Sequence, residues 1–163
     1  CLKQKLLDFQ YNKSNISSLE YENFDNFNIN LFSDEIDEKK YNSNISPKEN
    51  LEKIKEISLK FIENFNDPQE KNLLFTGNTG LGKTFMSNCI AKSLLDKGHL
   101  VIYQTAFKMF EIIEEYKFKN ADNHLSKSNY ENLFDCDLLI IDDLGTELTN
   151  SFTNSELFNI LNT

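Results

Sequence analysis

The sequence is short of several things. Tryptophan is absent, proline occurs twice and glycine five times in 163 residues. Only three cysteines are present, Cys1, Cys89 and Cys136. They are odd in number and far apart, so no disulfide framework is indicated. Cys89 and Cys136 stand among apolar neighbours, where a free buried thiol is expected. Basic residues are in deficit, 17 against 26 acidic ones, which leaves a net charge of −9. That excludes the bulk-electrostatic coat of a general DNA- or membrane-binding protein, while a local basic patch stays possible. Long apolar runs are missing too: none exceeds the four residues of Leu138-Leu139-Ile140-Ile141, far below the roughly 20 residues of a membrane-spanning helix. No secretory leader is visible, and the cytoplasm is the expected compartment.

What is present suffices for a core. Hydrophobic residues make up 39% of the chain, too many for a disordered segment, and the length suits about one domain. The first residue is Cys1 rather than Met, and Glu156–Thr163 reads as a helix without a stop signal. A piece of a longer protein is therefore expected.

Residues 1–20 hold a short amphipathic stretch around Leu2, Leu6 and Leu7, broken by Ser14–Ser18. Residues 21–45 are rich in Asn, Asp and Glu, with Tyr21, Phe24, Phe27, Leu31 and Phe32 interspersed. They read either as an irregular segment pinned to a folded body by aromatics or as a solvated linker. A helix is predicted over 46–65. Ser46 is its N-cap, Pro47 takes the first helical position, Glu49 completes a capping box, and Leu51, Ile54, Phe61, Ile62 and Phe65 follow at helical period. Asn66-Asp67-Pro68 ends it.

Beyond this point strands and helices alternate. A strand is predicted at 72–76, a helix at 83–96 stopped by Lys97-Gly98, a strand at 100–105 and a helix at 106–118. A polar loop at 119–129, a short helix near Leu133 and Phe134, and an apolar strand at 137–141 follow. Such alternation indicates an α/β fold with a parallel sheet. The boundary between an N-terminal linker or wrapping segment and the folded core falls at 45/46.

Gly77-Asn78-Thr79-Gly80-Leu81-Gly82-Lys83-Thr84 fits the phosphate-loop pattern G-x-x-x-x-G-K-[ST] between a strand and a helix. Three of the five glycines fall here. Triphosphate oxygens must be met by many donors without bulk, and glycines let backbone N–H groups turn inward. The helix beginning near Gly82 adds its positive end, and Phe85 lies in its first turn. Lys83 is placed to reach the β- and γ-phosphates, and Thr84 to offer its hydroxyl to Mg²⁺. The strand Leu138–Ile141 then delivers Asp142 and Asp143 at its carboxyl end, where ligands of parallel sheets bind. Asp142 is expected to hold Mg²⁺ through water and Asp143 to position the attacking water. The predicted fold is thus a P-loop NTPase with a nucleoside triphosphate and Mg²⁺ as ligands. His99, after Gly98, and His124, in the polar loop, are expected at the surface and lack Cys/His partners at metal spacing. Lys108, Lys117 and Lys119 beside Phe107, Phe110, Tyr116 and Phe118 suggest either a single-stranded nucleic-acid contact or, as the favoured reading, a core stripe with a solvated face.

The stretch from Asn72 through Phe85, the Ile90-Ala91-Lys92 helix and Leu138–Glu147 together resemble the bacterial helicase-loader ATPases of the DnaC/DnaI type. The transposition helper IstB is similar. Both belong to the AAA+ class, and the resemblance covers roughly residues 20–163. It implies an ATP-hydrolysing loader that binds the replicative DNA helicase, helps place it on single-stranded DNA and self-associates through its ATPase domain. It also implies that residues 1–45 are the remnant of a helicase-binding part, a zinc module in some relatives, with Cys1 resembling its last cysteine. Phe24, Phe27 and nearby residues then become candidates for packing beside adenine. The sheet order implied is 5-1-4-3-2. The strands at 72–76, 100–105 and 137–141 would be numbers one to three, the second and third pairing in parallel, with number four lying beyond Thr163. A kinase- or GTPase-like sheet would instead pair 72–76 directly with 137–141. The sensor residues and arginine finger of the class would also lie beyond Thr163. The rival functions are an IstB-type transposition helper and a nucleotide-switched binding module with incidental hydrolysis.

Overall fold

The computed structural model describes residues 18–41, 44–119, 123–145 and 150–162. The stretch expected to be amphipathic at 1–17, Cys1 included, and Thr146–Glu147 lie outside these. One compact unit falls within residues 17–93 and a second within 94–163.

The first unit opens irregularly, as the Asn- and Asp-rich composition requires. Asn23 accepts the backbone N–H groups of Asp25 and Asn26, capping a 3-10 turn at Phe24–Asn26, and Asn28 does the same for a turn at Ile29–Leu31. A single helical turn, α1, spans Glu38–Tyr41. The segment is pinned by an aromatic: the Phe27 ring lies 6.3 Å from that of Phe85, with Lys55 Nζ 4.7 Å above it. At its start Asn88 donates to Ser18 Oγ (3.1 Å) and to the Glu22 carboxylate, which also accepts from Ser18. Phe27 is thus packed on the folded body, while Tyr21 and Leu31 stay exposed.

Helix α2, Pro47–Glu63, begins as the sequence indicates. Ser46 Oγ accepts the Glu49 N–H at 3.1 Å and Pro47 occupies the first turn, a cap worth about 1 kcal/mol. The capping box is only half made: the Glu49 carboxylate accepts from Lys53 at 2.9 Å, one turn on. Leu51, Ser58, Phe61 and Ile62 form its buried stripe.

Residues 72–76 depart from expectation. They carry no strand ladder among the described residues. Leu73 and Phe75 are half-buried while Leu74 is 78% exposed, so the period of two is there without the neighbouring strand that would make it a sheet member. Helix α3, Lys83–Asp96, follows. It ends in a Schellman motif, with Gly98 N–H to Leu95 C=O (2.9 Å) and His99 N–H to Leu94 C=O (3.0 Å).

In the second unit, β1 (Val101–Thr105) pairs in parallel with β2 (Leu138–Asp142), Tyr103 opposite Ile140 and Thr105 opposite Asp142. This is the expected pairing of strands two and three. Thr105 caps α4, Ala106–Glu114, by accepting the Lys108 N–H, and the helix widens into a π-helical turn over Glu115–Lys119. Helix α5, His124–Asp135, occupies much of the expected polar loop. Asn123 caps it, accepting the Leu125 N–H at 2.9 Å, and only a narrow face is covered, with Ser126 and Leu133 buried. Helix α6, Ser151–Leu161, starts earlier than expected because Asn150 and Thr153 exchange a reciprocal capping box. The core of this unit gathers Ile102 from one sheet face with Met109, Phe110 and Ile113 of α4 and Leu133 of α5. Among the described residues no helix is long and apolar enough to cross a membrane.

Candidate functional site

The loop from Gly77 to Gly82 turns because its glycines permit it. Gly80 and Gly82 have φ of +81° and +86°, a region that a Cβ makes costly. Across this turn Lys83 Nζ donates to the carbonyl oxygens of Gly77 (2.9 Å) and Asn78 (3.0 Å). The first hydrogen bond inside α3 runs from the Met86 N–H to the Gly82 C=O, 2.9 Å. The N–H groups of Lys83, Thr84 and Phe85 thus form the first turn, where a helix presents donors to anions. Thr84 is exposed there, and the Phe85 side chain is turned against Phe27. Gly77, Asn78, Thr79, Gly80, Leu81, Gly82, Lys83, Thr84 and Phe85 are contiguous in one compact unit.

Beside this loop lies a cavity of about 330 Å³. It is lined by Thr76, Gly82 and Lys83 at the loop, by the polar Ser46 and Asn50, and by the apolar Phe32, Ile45, Pro47, Leu51 and Ile54. Phe24 and Phe27 do not line it; Phe32, a few residues on, does. The sequence reading missed the contribution of Ile45 and of the first turns of α2, whose apolar residues look like ordinary core.

Asp142 is the last residue of β2 and Asp143 the first beyond it. Asp143 is the one described non-glycine residue with positive φ, +54°. This turn aims its N–H at Asp142 Oδ1, 2.9 Å away. The other oxygen, Oδ2, accepts the hydroxyl hydrogen of Tyr103 from the neighbouring strand. Asp142 is half-buried and Asp143 exposed. The two acidic residues belong to the second unit and the phosphate loop to the first.

Among the described residues no three His, Cys, Asp or Glu side chains cluster as a metal centre. Magnesium needs none, since it is held by one or two protein oxygens together with phosphates and water. An exposed Thr84 hydroxyl and a carboxylate fixed at both oxygens are hard donors of the right kind. His99 is less exposed than expected, its Nδ1 lying 3.7 Å from the Asp137 carboxylate. Cys89 and Cys136 are free, as expected. Burial, aided by Glu22, pushes the Cys89 thiol up to about 12, and burial raises Cys136 to about 11. The basic and aromatic stretch on α4 is mostly occupied elsewhere. Lys108 pairs with Glu111 and Lys117 with the buried Glu156, both at 2.6 Å. Phe110 is core, and Tyr116 stacks on Tyr130 with ring centroids 4.4 Å apart.

Comparison with known proteins agrees with the loop. The family described as IstB-like ATP binding protein matches residues 25–163. A stretch of 94 residues is 31% identical to the chromosomal replication initiator protein DnaA of Aliarcobacter butzleri (strain RM4018). The match covers 58% of this chain and 20% of that protein, so the chain spans about a fifth of its relative's length. No solved structure shows significant similarity to the chain.

Proposed function

The chain belongs to the IstB-like ATP-binding proteins, and on that premise we propose that it is the ATP-hydrolysing part of a helicase loader, which helps place the replicative DNA helicase on single-stranded DNA. The observation that carries the nucleotide reading is the phosphate loop, with Lys83 poised at its mouth, opening directly beside an apolar cavity. A triphosphate needs the loop; a purine needs the cavity. Likeness to a replication initiator favours replication as the setting. The family description favours a second reading, a transposition helper.

Lys83 would exchange its two loop carbonyls for phosphate oxygens, and the N–H groups of the first turn of α3 would take the remainder. Thr84 and Asp142 would hold Mg²⁺, which when bound neutralises the charge developing on the phosphates. Asp143, exposed past the strand end, would accept a hydrogen bond from the attacking water and orient it. The sheet completing this site in the AAA+ order 5-1-4-3-2, association between ATPase domains and a cytoplasmic location form part of the same proposal.

The test uses full-length protein with its host's replicative helicase and a single-stranded DNA circle. Mg-ATP-dependent transfer of helicase to the circle, with turnover stimulated by the DNA, is expected. Association with a transposase and none with the helicase would establish the second reading. Nucleotide binding without turnover would leave a nucleotide-switched binding module.

A further inference from the structure

We infer that Tyr103 is a positioning residue for the magnesium site, acting through Asp142. The inference rests on the nucleotide reading above and adds a residue to it. In the parallel ladder Thr105 stands opposite Asp142 and Tyr103 opposite Ile140. Paired positions and those two residues away share a sheet face, so Tyr103 and Asp142 are diagonal neighbours, within the reach of a long aromatic side chain. The Tyr103 hydroxyl uses that reach to donate to Asp142 Oδ2, while the Asp143 N–H holds Oδ1 at 2.9 Å.

The consequence is geometric. A carboxylate at a strand end turns about two side-chain torsions, and ordering it when a cation arrives costs free energy. With one donor on each oxygen, the carboxylate plane is fixed before any ligand binds. One donor is backbone and the other a half-buried ring on the adjacent strand. Partners of this kind, one step removed from a metal, typically change affinity by 10–100-fold when lost. Asp142 is assigned to bind through water, so the lower end applies.

Tyr103→Phe keeps the ring and removes only the hydroxyl. The experiment measures binding of a fluorescent ATP analogue to full-length protein, first in EDTA and then across a Mg²⁺ titration. Paramagnetic Mn²⁺ binding is followed in parallel by electron spin resonance. The variant is expected to bind nucleotide in EDTA as the parent does, while its half-saturating Mg²⁺ and Mn²⁺ concentrations rise about tenfold. On an Asp142→Asn background the same change should have no further effect on metal dependence, because the two residues act as one unit. Unchanged metal dependence in Tyr103→Phe overturns the inference. So does an equal loss of binding with and without metal, or an undiminished effect on the Asp142→Asn background. If the parent protein shows no metal-dependent nucleotide binding at all, it is the proposed function that fails.

Discussion

Asp143 sits in left-handed backbone, φ +54°, and this makes the choice of substitution at the position decisive. For most residues that conformation costs roughly 1–2 kcal/mol, whereas Asn and Asp adopt it readily. Asp143→Asn therefore removes the charge while keeping the turn, and with it the N–H that holds Asp142 Oδ1. Asp143→Ala removes the charge and strains the turn. Both variants should lose turnover by about 10²–10⁴, the usual worth of a positioned acid–base group. Both should still bind nucleotide, because Lys83 and the loop are untouched. Only the alanine variant should lose stability. At roughly 2–4 °C per kcal/mol for a chain of this size, its melting temperature falls by about 2–8 °C while that of the asparagine variant stays level. Phosphate release, equilibrium binding of a fluorescent ATP analogue and a thermal melt on full-length protein give the three readings. An asparagine variant that hydrolyses ATP at the parental rate would refute the assigned role. Parallel loss of binding and turnover would make Asp143 a primary magnesium or structural residue. An alanine variant as stable as asparagine would refute the backbone argument.

Lys83→Ala should weaken ATP-analogue binding by about 10- to 100-fold, since hydrogen bonds to charged groups contribute about 1.5–3 kcal/mol; unchanged affinity would mean the loop is not the phosphate site. The 163 residues contain no arginine, all 17 basic side chains being lysine, so these residues alone should hydrolyse ATP on the order of 10³–10⁵ more slowly than an assembly supplied with an arginine finger. Rapid phosphate release by residues 1–163 would contradict that. Burial pushes Cys89 and Cys136 up to about 12 and about 11, so at pH 8 their thiolate fractions are about 10³-fold and about 10²-fold below that of a free cysteine. Iodoacetamide should label them only after denaturation, and mass spectrometry showing rapid native labelling at Cys89 would refute its burial.

The phosphate loop, its helix and the acidic strand end were legible because each is written locally. Glycines at fixed spacing, a lysine after the last of them, and an apolar run ending in two carboxylates need no knowledge of the rest of the chain. Ser46 and Pro47 announced α2 in the same way. What was not legible depends on partners distant in sequence. Residues 72–76 have strand periodicity, yet a strand is made by its neighbours. Helix α5 was hidden because its first turns, from His124 to Asn129, have loop composition, and only Asn123 marked its start. Tyr103 could not be singled out before the register with β2 was known. The apolar wall of the cavity has the same chemistry as a core, and only the emptiness beside it sets it apart.

The bonds from Asn88 to Ser18 and Glu22 also bear on how the molecule comes together. They join residues 70 and 66 positions apart, whereas the bonds inside α2 and α3 join residues four apart. Closing so long a stretch lies about four doublings beyond a helical turn and costs roughly 2.5 kcal/mol more chain entropy. That cost is recovered only once α3 exists to receive the segment. Contacts so distant in sequence form late and open early. In amide hydrogen exchange the backbone around Asn23 and Asn28 should therefore lose protection well before α3 does. The first part of the chain to let go would then be the segment that ends at Phe32, one wall of the cavity.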